Sequence, residues 1–470
     1  MPFAAPWTGL LLLVCSSIAP VHAADEIPNV QLCSGDVAAI SFQGNRVTRA
    51  EVMTRELPQR IGEPCVLDDV IDGLTRLESL GLFRSVRVEM HPLSPAEPAD
   101  TAQLKAADDG AARSLDDRYA PATPGQLLEL RYVVREKFYF LGLPRLSRTS
   151  DGEVRAGVSL EWNNFLGRLH EVKLTSEWRQ EDDGQGRGGF VHALDYEVPR
   201  FFGSDLGMDL RLGLADRQVG FGGRDRVGRE TLGEGQLASV RIGVTLARWL
   251  GEREGVQGLR LFYGAAIEHR DYTLESGVAG ATRGGSDLGW RVGLEHRAVQ
   301  HDRYRRHGLR AGGAFSFANR RLGSDFDWHR VDAWLAWYQP VGRGLDNLNV
   351  ALSAGISERA PFGDRFYAIG GGEILRGVRK GAQEGDVRLL LNVEYLRASL
   401  FRPALRWVLF ADAGNAWPIE AVEPGDLLLR GGIGARYKLE ALSRRDLRID
   451  LAWDPIDGRV VPYLSTQLTF

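Results

Sequence analysis

The sequence is short of everything that would build a chemical centre. Its 470 residues include only three cysteines, too few for any zinc-ribbon or zinc-finger spacing. Nine histidines are scattered, and neither a Gly-x-Ser-x-Gly nor a His-Glu-x-x-His pattern occurs. A hydrolase therefore has no visible nucleophile or metal pair, and no cofactor is expected. Charge of one sign is also missing. Lys+Arg total 58 against 62 Asp+Glu, a net charge of -4, which argues against a nucleic-acid binder. Long hydrophobic runs are absent too. Mean hydropathy is -0.21, too polar for a bundle of membrane helices. The one apolar run, Leu10–Val14, falls well short of the ~20 residues that span a bilayer. Small residues and Val21-His22-Ala23 follow it, so residues 1–23 read as a secretory signal, although no Lys or Arg precedes the run. Export permits Cys33 and Cys65 to pair. The alternative is two buried thiols, and the sequence leaves both open.

What is present is order of two kinds. Hydrophobic residues at 44% and charged residues at 26% suit a folded chain. Residues 34–137 read as a small α+β module. Val37, Ala39 and Ser41 alternate with their neighbours up to Gln43-Gly44-Asn45, a strand and its turn. Thr48-Arg49-Ala50-Glu51 has capping-box spacing and predicts a helix start. A second helix over Leu67–Leu80 puts Val70, Ile71, Leu74 and Leu77 on one face, with Gly81 as its stop. Strands follow around Phe83–Val88 and Leu128–Val134. Between them, residues 92–125 form a Pro-, Ala- and Asp-rich insert, read as a mobile loop.

From Phe138 to the end the period is two. Leu206, Met208, Leu210, Leu212 and Leu214 alternate with Gly207, Asp209, Arg211, Gly213 and Ala215, and the same holds around Val240–Leu246, Leu348–Ile356 and Val387–Tyr395. Alternation alone also fits a soluble sandwich. The length and recurrence of these segments, the Arg, Glu and Gly on their polar face, and Trp178, Trp249, Trp290, Trp337 and Trp417 near their ends point to a transmembrane barrel over 138–470 with lipid outside and a wet lumen. About sixteen strands are expected, with short periplasmic turns at Asn163–Gly167 and Pro199–Gly203. Longer outer links are expected at Arg217–Gly233, Leu274–Ser286 and Arg359–Gly385. An edge exposed to lipid has no partner, so the sheet should close.

Several segments carry a resemblance. Phe42-Gln43-Gly44-Asn45, Leu80-Gly81-Leu82-Phe83-Arg84-Ser85-Val86 and Tyr132-Val133-Val134-Arg135-Glu136-Lys137 resemble a POTRA domain. Such domains precede barrels of the BamA-type outer-membrane assembly and translocation superfamily, the bacterial surface antigen family. In the longest outer link, Gly370-Gly371-Gly372 and Leu375-Arg376-Gly377-Val378 are similar to the family's inward-folded loop, whose tip ends in an aromatic where this chain has Val378. Phe410-Ala411-Asp412-Ala413-Gly414 matches the family's acidic strand motif. The resemblance implies that Arg376 meets Asp412, that Leu468 and Phe470 form a terminal assembly signal, and that the POTRA domain handles client polypeptides by strand addition. It implies the outer membrane of a Gram-negative bacterium, with the POTRA domain in the periplasm, outer-membrane lipid around the barrel, and no covalent reaction. A single POTRA domain suggests a specialised client.

Alternatives remain open at this stage. A passive porin-like channel also fits a barrel of this size. A barrel enzyme would need histidines such as His269 or His296, which read better as membrane-interface residues. The first and last strands carry Pro144 and Pro462. Either they pair weakly and form a lateral gate for client strands, or the prolines simply end the strands.

Overall fold

In the computed structural model the described residues are 33, 35–93, 127–148, 154–180, 188–201, 204, 206–221, 224–225, 228–229, 233–250, 258–277, 284–301, 304–342, 344–439, 446–456 and 458–465. The signal segment 1–23, the 92–125 insert beyond Leu93, and Leu468 and Phe470 lie outside them. Among the described residues no helix is long and apolar enough to cross a membrane.

The N-terminal module runs β1 (Asp36–Gln43), α1 (Ala50–Glu56), α2 (Leu67–Ser79), β2 (Phe83–Leu93) and β3 (Leu127–Glu136). Strand β3 lies in the middle, parallel to β1 and antiparallel to β2. Its alternate residues Leu128, Leu130, Tyr132 and Val134 are buried, the last three in one cluster with Val70 and Leu77 of α2, the stripe expected of an amphipathic helix. Burial pushes the Tyr132 hydroxyl up to about 12. Gly81, at φ 71°, ends α2 by turning the chain through the left-handed region. Cys33 and Cys65 form a disulfide, with Cα atoms 5.4 Å apart across 32 residues of sequence. Closing a loop of that size stabilises the module by about 3–4 kcal/mol in the chain-entropy picture. The capping box needs correction. Helix α1 has Arg49, not Thr48, at its N-cap and no side-chain cap bond. The Thr48 hydroxyl is engaged with the barrel instead.

The barrel is one 16-stranded sheet in which every neighbouring pair is antiparallel. Its strands are β4 (Phe140–Arg148), β5 (Val154–Phe165), β6 (His170–Gln180), β7 (Gly188–Val198), β8 (Leu206–Phe221), β9 (Gly233–Leu250), β10 (Gly258–Gly277) and β11 (Gly285–His301). They continue as β12 (Arg306–Ala318), β13 (Trp328–Val341), β14 (Asp346–Glu358), β15 (Val387–Ala398), β16 (Leu405–Trp417), β17 (Leu428–Lys438), β18 (Asp446–Asp454) and β19 (Arg459–Ser465). Strands β8 to β11 run farther than the sequence suggests, so both ends of the outer links placed at Arg217–Gly233 and Leu274–Ser286 are ladder.

One face of each strand is apolar and open to the surroundings. Val240, Ile242 and Val244 on β9, Tyr263 and Ile267 on β10, and Trp290, Val292 and Leu294 on β11 are all exposed. An apolar surface this continuous fits acyl chains rather than water. Along β10 it ends at His269, which meets Ser286 at 2.8 Å. Two of the expected girdle residues face elsewhere. Trp249 lies beneath the guanidiniums of Arg260 and Arg297, and Trp417 is buried where Asp386 and Gly385 cross it.

The seam also departs from expectation. Among the described residues the ladder runs from β4 to β19 and no backbone pairing joins those two strands. Pro144 and Pro462 do not end their strands. Each sits within one, paired with Val158 and Leu451 respectively. Both lie on edge strands, where the ladder can spare a donor.

Candidate functional site: a loop clamped in the lumen

The chain between β14 and β15 does not project from the barrel. It begins with Phe362, which holds φ 61° beneath the Arg270 guanidinium and against Phe326, while Arg270 binds Asp364 at 2.7 Å. Tyr367–Ile369 and Gln383–Gly385 pair as a short ribbon. The Tyr367 hydroxyl donates to Asp332 Oδ1 on β13 at 3.0 Å. These contacts identify the even-numbered residues of β10 and β13 as lumenal.

Glycines allow the descent. Gly370 is at φ 104°, and a Cβ there would lie 1.8 Å from the carbonyl oxygen of Arg379. Gly371, at φ 92°, donates its amide to Val378 O at 2.8 Å. A Cβ on Gly372 would meet the Tyr463 ring at 2.5 Å. Leu375 and Val378 are buried in a cluster with Tyr367 and Ile369, so the position lacking an aromatic is still packed.

At the tip, Arg376 is 1% exposed despite carrying a full charge. Its Nε and Nη2 donate to Asp412 Oδ2 and Oδ1 at 2.6 and 2.7 Å, a bidentate fork, and its own amide adds a 3.2 Å bond to Oδ2. Nη1 donates to Glu394 Oε1 on β15 at 2.6 Å and reaches Asp450 on β18 at 3.3 Å. The Phe410 ring lies 3.6 Å from the guanidinium carbon. Residue spacing explains the convergence: Phe410, Asp412 and Gly414 share the inner face of β16, as residues two apart must. Gly414 keeps that wall thin, since a Cβ would sit 2.8 Å from Leu389 O.

The sequence motif does not reveal the rest of the cluster. Arg436 on β17 donates to Asp450 at 2.6 Å and to Glu394 at 2.8 Å, and Arg448 donates to Asp450 and to Gly372 O. Three guanidiniums, of Arg376, Arg436 and Arg448, thus face three carboxylates, of Asp412, Glu394 and Asp450, all buried. The charges balance, which is what allows them to leave water. The tip also reaches the last strand. The Gly377 amide donates to the Tyr463 hydroxyl of β19 at 3.0 Å, and Arg430 Nε donates to Gly377 O at 3.4 Å.

A second constructed region joins the module to the barrel. The Glu136 carboxylate accepts from three successive amides, Arg46, Val47 and Thr48, at 3.1, 3.0 and 2.7 Å. The Thr48 hydroxyl contacts Tyr139 and accepts from Asn164 at 2.9 Å, and the Arg49 amide donates to Gly167 O at 3.0 Å. The receiving turn between β5 and β6 is tightly wound, with Asn164, Leu166 and Leu169 at φ 59°, 57° and 64°. On α1, burial raises the Glu56 carboxyl above the usual carboxylate range, opposed by Arg200 on the β7–β8 turn.

The Omp85 superfamily domain model matches residues 164–443, more than half of the chain. The chain belongs to the Omp85 superfamily. No curated protein matches it in sequence. Among solved structures, this Omp85 chain is similar to CdiB from Escherichia coli, with a TM-score of 0.59 and 14% identity over 93% of this chain and 75% of that one. CdiB from Acinetobacter baumannii gives 0.57 and 14% over 92% and 73%. BamA from Haemophilus ducreyi lacking POTRA domains 1-3 gives 0.50 and 14% over 92% and 83%. At such identity the likeness shows the fold, a barrel preceded by a small α+β portion.

Proposed function

We propose that this Omp85 chain assembles or translocates polypeptides at the outer membrane of a Gram-negative bacterium. Its N-terminal module acts as a single POTRA domain in the periplasm, and the loop tip Leu375-Arg376-Gly377 acts as a lock on the lumen. The observation that carries this reading is the buried, charge-balanced seat of Arg376 on Asp412, Glu394 and Asp450. A permanently open pore has no use for a loop held across it by a bidentate ion pair. The edges of β4 and β19, which no backbone pairing joins among the described residues, supply the other element, a seam at which client strands add. No covalent step is involved, and client folding and burial in lipid provide the driving force.

Client entry is assigned to the edge of β2 that has no partner strand among the described residues. Val86 packs into the module core, so the probes belong at exposed positions in the middle of that edge, Arg87 and Glu89. Photo-crosslinking residues at these two positions should capture an unfolded outer-membrane or surface polypeptide, and depletion of this chain should lower the membrane level of that same polypeptide. Depletion without loss of any outer-membrane protein, together with a high conductance unchanged by Arg376→Ala, would establish the porin-like alternative.

A further inference from the structure

We infer that the lumenal wall formed by β8 to β11 is a cationic track that takes an extended acidic polypeptide segment. The inference rests on the polypeptide-handling reading above and names the chemistry of the segment in transit.

The cross-strand register places the residues. Glu268 and Arg270 of β10 lie on the loop-facing side, because Arg270 binds Asp364 of the loop. Glu268 pairs in register with Arg241 and with Asp287. The next lumenal row is Arg211, Gly243, Ala266 and Gly289, and the one after it is Asp209, Thr245, Gly264 and Arg291. Three successive rows therefore each carry one arginine, on β9, β8 and β11 in turn, with Gly213, Gly243, Ala266, Gly289 and Gly264 as the small residues between them.

The side chains follow this arrangement. Arg211 and Arg241 have side chains 74% and 63% exposed, and their ion contacts, to Asp195 and Glu268, are both stretched to 3.7 Å. Arg291 is exposed, lies 5.5 Å from the Phe262 ring, and has no ion-pair partner among the described residues. Most carboxylates of the same wall are engaged elsewhere. Glu268 is held by Arg270 at 2.6 Å, Asp287 accepts from Trp328 and Ser324 at 2.8 and 3.0 Å, and Asp209 faces Arg260 at 3.5 Å. Asp195 beside Arg211 and Glu197 beside Asp209, both exposed on β7, are the acidic groups left at the edge of the track. The seat of the loop tip is different, because there every guanidinium is buried against a carboxylate. One side of the lumen is thus neutral and filled, while the other presents positive charge around a strip of glycine and alanine. An extended chain can approach backbone-close over such a strip, and low-dielectric walls focus the field along it.

The test uses the full-length protein in detergent and two fluorescent decapeptides, one of glutamate and one of lysine, followed by anisotropy at low salt. The glutamate peptide should bind and the lysine peptide should not. Arg211→Glu/Arg241→Glu/Arg291→Glu should weaken glutamate-peptide binding by about tenfold or more and should bind the lysine peptide instead. The single variant Arg291→Glu should show a smaller shift in the same direction, and heat-modifiability on gels verifies that both variants fold. Arg248→Glu, an exposed position on the outward face of β9, should leave binding unchanged. Equal binding of both peptides to the wild type, or equal loss in Arg248→Glu, overturns the track. Track binding that persists while depletion spares every outer-membrane protein removes the client reading and leaves the track. Client loss on depletion without peptide discrimination removes the track alone.

Discussion

Replacing Arg376 with alanine is the sharpest perturbation of this molecule. The substitution deletes two bonds to Asp412 and one to Glu394, all within 2.7 Å, together with the 3.3 Å contact to Asp450. It leaves Arg436 and Arg448 against Asp412, Glu394 and Asp450, so the buried cluster holds one uncompensated negative charge. Removing one partner of a buried ion pair costs about 3–5 kcal/mol. Charged side chains line the lumen, and water admitted by the substitution solvates Asp412, so the lower part of that range applies. About 3 kcal/mol is roughly a hundredfold in the ratio of unseated to seated loop. The assay is limited trypsin digestion of the purified protein, with cleavage after Arg379 or Lys380, both exposed just beyond the tip in sequence. Cleavage at this site should speed up by about two orders of magnitude in Arg376→Ala, while the module and the barrel strands stay intact. Asp412→Asn should produce a similar effect. The double variant should lose much less than the sum, because the two residues share their bonds. Arg376→Lys should fall between wild type and alanine, since an ammonium cannot form the fork. An unchanged cleavage rate in Arg376→Ala, with a folded barrel, would refute the reasoning.

Three further outcomes are expected. Tyr463→Phe removes the acceptor of the Gly377 amide and should increase deuterium uptake at both the loop tip and β19, whereas uptake in β19 alone would mean that tip and seam are not joined. Gly167→Ala puts a Cβ 2.0 Å from Val47 O at φ 69°, so it should loosen the module, read as faster proteolysis near Arg49 at an unchanged barrel melting temperature. Glu56 has its folded-state pKa raised by burial, so the stability it contributes is complete below its unfolded value near 4.5 and is lost as pH rises through the folded value. Glu56→Gln should therefore match wild type in acid and exceed it at neutral pH in thermal unfolding of the module, and an equal gap at all pH values would contradict the assignment.

Period and punctuation were enough to read the fold. Alternate apolar residues on β8, β9 and β15 marked the lipid face, and Gly81 marked the end of α2. The outer reach of β8 and β10 was harder, because Arg217, Gln218 and Ser276 are polar and read as loop. They are ladder because each is paired with a neighbouring long strand, a non-local cause. Thr48 misled for a related reason. Its spacing to Glu51 satisfied a local rule, but Asn164, more than a hundred residues away, claims the hydroxyl. At the site, Arg376 and Asp412 were legible from two short motifs, whereas Glu394, Arg436, Arg448 and Asp450 appeared only as polar members of alternating strands. Nothing local distinguishes them from Arg211 or Arg291. What separates a buried clamp from an exposed track is which strands the loop tip reaches, and that is set by register.

That contrast explains why the seat is built of charge rather than of leucine. An apolar plug of the same volume would match or exceed the stability of a buried ion cluster. It would also be difficult to withdraw, because its departure exposes greasy wall to water. The Arg376 cluster behaves in the opposite way. When the loop leaves, all six charges regain water inside the barrel, so much of the desolvation penalty incurred on seating is returned. The seated state is then specified by geometry, through the fork on Asp412 and the turn at Gly377, with a modest net free energy. Gly377 reports to Tyr463 on the last strand, so the same movement that frees the tip also frees one edge of the seam. A loop held in this way can be displaced by a competitor that offers charge and backbone hydrogen bonds of its own. An extended polypeptide entering the lumen carries both.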